Sequence, residues 1–291
     1  MGLVSCPAAD LVELDDRYLP EMTERRDLLA TRHRDVFATT PGSEPAHTET
    51  LNLIAALLVQ KHPDWFTRSG NTIHNHLTNE SWDLANPPHD PLELAGRLVQ
   101  EDLCIIDTST GTPILAAAIL CAPTSWRLRE KIGLPLAQVH TPVPMYADRL
   151  STAVDRFMRA LKPGRVTERQ NWGLSDDPAL FQQWGKHRTA VEAGITPENA
   201  PDRLYLRMER QTLTRLPKSG AVLFVIRVHC YPIARVLDVP GAAADLAAAI
   251  RAMPPDMTAY KSIPRFRDAL LACLDAAPAH TPDATFFRAP G

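Results

Sequence analysis

The two longest apolar runs, residues 114–122 and 221–226, most constrain what this chain can fold into. Both fall far short of the roughly 20 apolar residues needed to span a bilayer. Both read as buried strands, and each has a partner. Residues 103–108 and 113–121 are joined by a Thr110-Gly111 turn, which predicts a β-hairpin. Residues 203–214 and 220–230 flank the loop Leu216-Pro217-Lys218-Ser219-Gly220, which predicts a second. Between the hairpins lies a short basic helix over 126–133, ended by Gly133 and Pro135. A longer helix over 145–161 follows, with Leu150, Val154, Phe157 and Leu161 on one face, then a strand over 165–172. Two strands, a helical crossover and three strands predict an α+β fold built on a five-stranded antiparallel sheet with helices on one face.

The flanks read as helix. The first hundred residues show amphipathic stretches over 21–37, with Thr23 as a cap, over 48–61, ended by His62-Pro63, and over 91–100. A polar, loop-like segment separates them over 67–90. The tail returns to helix over 242–253 and 262–276. The expected organisation is an N-terminal helical extension (1–100), a sheet domain (101–235) and a C-terminal helical segment (236–291) packed on the core. At 291 residues and 45% hydrophobic, the chain can bury such a core, which excludes a disordered tail or a small disulfide scaffold. A net charge of −3 gives no electrostatic reason to expect nucleic acid or an anionic membrane as partner. The N-terminus lacks the basic-then-apolar pattern of a secretory signal. The five cysteines (Cys6, Cys104, Cys121, Cys230, Cys273) form no CxxC pair, so the cytoplasm is the expected compartment.

The chain holds no HExxH, GxSxG, Walker or GxGxxG sequence. His74-Asn75-His76 would share one side of a strand and suit a metal, or stand as two exposed loop histidines. His140 is held between Leu134-Pro135 and Pro142-Val143-Pro144, in apolar company. That suits a haem ligand, and equally a core histidine bonded to a carbonyl. In the second hairpin Arg207 and Glu209 share one strand face, and Arg210 lies on the other. Arg227 interrupts an apolar strand, so it must be paired or must face a ligand. A Glu209–Arg227 ion pair across the hairpin would satisfy it. Arg169 and Asn171 alternate on a third strand, as cavity-lining groups or a solvated edge.

Four motifs run in order: His140-Thr141-Pro142-Val143-Pro144-Met145-Tyr146, Val154-Asp155-Arg156-Phe157, Arg169-Gln170-Asn171-Trp172, and the stretch from Glu209-Arg210-Gln211-Thr212-Leu213 through Arg215-Leu216-Pro217-Lys218-Ser219-Gly220-Ala221. Over about residues 50–235 they make the chain resemble the haem-binding (α) subunit of haem-dependent oxidative N-demethylases. That resemblance implies a haem-bearing PAS-like fold, whose element order matches the two-strand, crossover, three-strand pattern. It implies a monooxygenase-type oxidation of a small amine such as dimethylamine with O2. Haem b would be bound once per chain, and FMN, a 2Fe-2S centre and NADPH would serve on partner reductase subunits. It implies His140 as proximal haem ligand, with Glu209, Arg227 and Asn171 in the distal pocket. Arg156, Arg207 or Arg210 would pair with the haem propionates. The insert over 175–202 would reshape the pocket for another substrate. A haem PAS sensor of gas or redox state, without turnover, is the alternative, and a homodimer suits either.

Overall fold

The computed structural model describes residues 2–277, so the end of the expected C-terminal segment lies outside the described residues. The strands are β1 (Val4–Cys6), β2 (Phe37–Thr39), β3 (Phe66–Ser69), β4 (Thr72–Asn75), β5 (Glu80–Asp83), β6 (Asp102–Asp107), β7 (Ile114–Ile119), β8 (Val166–Ser175), β9 (Tyr205–Arg215) and β10 (Val222–Pro232). The helices before β8 are α1 (Tyr18–Thr31), α2 (His33–Val36), α3 (Glu44–Lys61), α4 (Pro91–Gly96), α5 (Leu136–Val139), α6 (Tyr146–Arg149) and α7 (Ser151–Ala160). Those after it are α8 (Ala200–Arg203), α9 (Ile233–Leu237), α10 (Ala242–Ala252), α11 (Pro255–Tyr260) and α12 (Arg267–Asp275).

Two compact units result, and they cut across the expected boundaries at 100 and 235. The first holds Met1–Asn171, Leu180–Trp184 and Glu209–Val228. The second holds Trp172–Ala179, Gly185–Met208 and the chain from His229 onward. Its core is largely helical: Ile233, Leu246, Ile250, Phe266, Leu270 and Leu274 pack together.

Among the described residues the main sheet has seven antiparallel strands, not five, in the order β1-β8-β9-β10-β6-β7-β2. The added edges come from the N-terminal hundred residues. Val4 pairs with Glu168, and Phe37 with Ile119. Residues 67–90 are no plain loop either: β3, β4 and β5 form a second, antiparallel sheet. All five of these strands have only three or four residues, too few to show a period of two. Thr23 is not a cap. It lies inside α1, where its hydroxyl donates back to the Leu19 carbonyl.

In the first unit helices cover both faces of the sheet, which corrects the one-face expectation. Strand alternation sorts the two cores. Leu103, Ile105, Ala117, Ile119, Leu223 and Val225 join residues of α1, α3 and α4. Their neighbours Cys104, Ile106, Ala118, Val222, Ile226 and Val228 join Leu136 of α5 and Met158 of α7 on the other side. The β9–β10 turn is fastened twice. The Glu49 carboxylate of α3 accepts from the backbone N–H groups of Lys218 and Ser219 at 2.7 and 2.8 Å. The Arg215 guanidinium donates to the carbonyls of Met158 and Leu161 at 2.6 and 2.7 Å. These carbonyls lie at the C-terminal end of α7 and have no partner within the helix. The hairpin thereby anchors the helix that follows the His140 segment.

Gly96 ends α4 against Ile119 of β7, and a Cβ built there would stand 2.5 Å from Ile119 Cδ1 and 2.7 Å from its Cγ2. Gly96→Ala should therefore lower stability by about 1–3 kcal/mol through overpacking. Adding Ile119→Val, which removes Cδ1, should recover part of the loss; urea titration of the three proteins measures both.

Candidate functional site

His140 follows α5, a single turn that begins after Pro135, a residue suited to that position. Its Nδ1 lies 2.8 Å from the Leu136 carbonyl. A carbonyl can only accept, so Nδ1 carries a proton, and in the neutral imidazole the lone pair is on Nε2. Two turns bring the chain back onto the imidazole: Val143 N–H donates to the His140 carbonyl and Tyr146 N–H to the Val143 carbonyl. Met145 makes this return in the left-handed region, at φ 56°. A side chain there is strained, and such strain persists only where its surroundings enforce it. Its outcome is a stack: the Tyr146 ring lies 4.4 Å from the His140 ring, 8° from parallel. Burial pushes the Tyr146 hydroxyl up to about 12; Asp155 adds to the rise and Arg169 opposes it.

β8 and β9 present further polar groups to the same side of the sheet. On β8, Val166 enters the core shared with α1 and α3, so Thr167, Arg169 and Asn171 point to the opposite side. On β9, Leu213 enters the core shared with α5 and α7, and Gln211 and Glu209 follow it at alternate positions. The two strands meet through Glu209. Asn171 Nδ2 and Gln211 Nε2 both donate to its Oε2, at 3.2 and 2.7 Å. Three buried atoms of this group have no hydrogen-bond partner: Tyr146 Oη, Thr167 Oγ1 and Arg169 Nε. The structure thus gathers His140, Asn171 and Glu209 on one side of the sheet, and Tyr146 and Arg169 are on that side too. Tyr146 had no chemical signal of its own in the sequence, because the turn at Met145 is what brings it back.

Arg227 is elsewhere. It shares the parity of Leu223 and Val225 and points to the opposite side of the sheet. There it pairs with Asp15 at 2.7 Å and Glu21 at 2.8 Å, so the Glu209–Arg227 pair does not form. Gln100 donates to both of those carboxylates, and Arg25 pairs with the buried Asp102 at 3.1 Å. Glu101 is fully enclosed in the same cluster, and its carboxyl accepts from Glu13 N–H at 2.5 Å. Arg210 faces that side as well, where Glu168 holds it at 2.6 Å. Arg156 is exposed on α7. Arg207 is buried, counts with the second unit, and donates to the Ala179 carbonyl at 3.0 Å.

His74 and His76 stand side by side at β4 and the residue after it, with ring centroids 4.5 Å apart. Ser81 and Thr67 bond to them at 2.8 and 3.0 Å. Among the described residues no three His, Cys, Asp or Glu side chains are grouped to hold a metal ion. All five cysteines are free thiols. Among the described residues no helix is long and apolar enough to cross a membrane. A family model described as haem-dependent oxidative N-demethylase, alpha subunit-like, matches residues 2–271 of the chain.

Burial raises the Glu101 carboxyl from the usual carboxylate range to about 7, against the opposing pull of Arg227, Glu13 N–H and Arg25. The raised value means that the folded state binds this proton more tightly than the unfolded one. The stability it contributes is complete below the unfolded carboxylate pKa and is lost as pH rises toward and through about 7. Glu101→Gln, a neutral isostere, should flatten stability against pH between about 5 and 8 and be the more stable protein at the alkaline end. Urea midpoints at three pH values read both effects.

Proposed function

We propose, from the premise that this chain belongs to the haem-dependent oxidative N-demethylase alpha subunit-like family, that it binds one haem b through His140 and oxidises the N-methyl group of a small amine such as dimethylamine. The observation that carries this is the His140 tautomer. A histidine that gives its Nδ1 proton to a backbone carbonyl presents Nε2 as a basic ligand in a fixed orientation, as a haem iron requires. The residues around it also fit a haem: an apolar wall of Leu136, Val139, Phe157 and Met158 lies beside buried donors that lack an acceptor. The central strands β8-β9-β10-β6-β7, with α5, α6 and α7 in the crossover from β7 to β8, are read as a PAS-like core to which β1 and β2 add edges.

When bound, the haem supplies the iron at which O2 is activated. The chain does the rest. Glu209 is the group for the amine, which is a cation at neutral pH. Asn171 and Gln211 grip one of its carboxylate oxygens, which fixes the carboxylate plane and leaves Oε1 to accept an ammonium N–H. The same carboxylate takes the proton as the amine becomes neutral, the form in which nitrogen is readily oxidised. Arg227 has no part here, because Asp15 and Glu21 already meet its charge. Electrons come from NADPH through FMN and 2Fe-2S carriers on partner subunits, a division of labour that the family's alpha-subunit description supports. Turnover distinguishes this reading from a haem sensor on the same scaffold.

Haemin titration of the apoprotein, followed at the Soret band, should reach one haem per chain. His140→Gly should bind haemin weakly, and added imidazole should restore the band. Equal binding by both proteins would overturn the ligand assignment. Glu209→Gln should keep the haem but weaken the dimethylamine-induced spectral shift about tenfold or more, as loss of a hydrogen bond to a charged group does. An unchanged amine titration would leave Glu209 a structural residue.

A further inference from the structure

Thr167 Oγ1, Arg169 Nε and Tyr146 Oη share one chemical property. Each carries a hydrogen to donate, each is buried, and none has an acceptor. Native interiors rarely leave even one such donor unpaired, because its lost hydration goes unrepaid. Three together, one of them on a guanidinium, call for a group that is rich in acceptors and negatively charged. A water molecule has two acceptor sites and no charge, so it serves them poorly. A carboxylate has about four acceptor positions and pairs with guanidinium in fixed geometry.

We propose that Tyr146, Arg169 and Thr167 form a carboxylate cradle that receives a propionate of the haem, which makes Arg169 and Tyr146 positioning residues for the cofactor. This rests on the haem reading above. Thr167 and Arg169 are alternate residues of β8, so they present their side chains to one side, about 7 Å apart along the strand. Tyr146 joins the cradle to the ligand, since its ring is the one stacked on His140. Arg169 and Tyr146 are within electrostatic reach of each other. Asp155 on α7 also bears on Tyr146, and the Arg169 charge offsets it. The arginines expected for this task are engaged or placed elsewhere: Arg210 with Glu168, Arg207 with the Ala179 carbonyl, and Arg156 exposed on α7.

Haemin and haemin dimethyl ester differ at the propionates alone, anionic in the first and neutral methyl esters in the second, so they test the cradle without turnover. The full-length apoprotein is titrated with each. Wild type should prefer haemin by about tenfold or more, the scale of a charge-assisted pair. Arg169→Met should bring the two affinities within about threefold of each other while the Soret position, set by His140, stays unchanged. Tyr146→Phe, which keeps the ring stack, should lose a smaller part of the preference and guards against misfolding of the arginine variant. Equal affinity of wild type for both haemins, or full preference in Arg169→Met, would overturn the cradle and leave the haem reading standing. Failure of wild type to bind either would remove both. If wild type takes both haemins equally and free propionate shifts its Soret band only when Arg169 is present, the carboxylate belongs to a substrate, which overturns the propionate cradle and leaves the haem reading standing.

Discussion

Arg227 carries a full charge into the apolar side of a β-strand, and much of the first unit is arranged to neutralise it. An arginine so deeply buried is tolerable only if its partners are held close. Asp15 and Glu21 reach it from the N-terminal segment and the start of α1, and Gln100 binds both of them. Further bonds pin the same segment. Arg210 donates to the Asp10 carbonyl, Thr212 Oγ1 to the Leu11 carbonyl, and Lys61 pairs with Asp10. The N-terminal residues therefore act as a strap over one side of β9 and β10.

The two sides differ in how their polar groups are satisfied. Under the strap the cations meet carboxylates, Arg25 with Asp102, Arg227 with Asp15 and Glu21, Arg210 with Glu168, while Arg25 Nη1, Arg227 Nε and Glu101 Oε2 make no hydrogen bond there. On the side of His140 the donors of Tyr146, Thr167 and Arg169 end without acceptors, and a strained Met145 holds the tyrosine there. Orphaned donors beside a strained turn are costly to stability. The apolar company of Leu136, Phe157 and Met158 strengthens each such interaction by lowering the local dielectric.

Both hairpins were legible in the sequence, because β7 and β10 carry continuous apolar runs and a short turn joins each to its partner strand. The edge strands and the small sheet were not. Phe66 is the fully buried residue of β3, and β4 buries Ile73 and Asn75, of which only Ile73 is apolar, so neither strand shows an apolar period. Arg227 read correctly as a charge in need of a partner, but its partners lie more than two hundred residues away in the chain, beyond any local pattern. Asp15 and Glu21 look like ordinary surface acids in a helical stretch. The constrained backbone around His140 was legible through its flanking prolines. The stacking of Tyr146 was not, because it depends on one left-handed residue that is not glycine.

The most distinctive stretch, from Glu209 to Ala221, has its character because one strand serves three tasks by alternation. Glu209 and Gln211 belong to the candidate site, and Arg210 and Thr212 secure the strap. Arg215 and the turn after it lock the hairpin to α7 and α3. A slip of one residue would exchange the first two sets, sending Arg210 toward the His140 side and Glu209 into the ion cluster. The register must therefore be fixed from outside the strand. Gly220 turns at φ 73°, Leu216 N–H donates to the Ala221 carbonyl, and Glu49 clamps Lys218 and Ser219. The turn residues, remote from any chemistry, thus decide which side of the sheet each polar group of β9 serves.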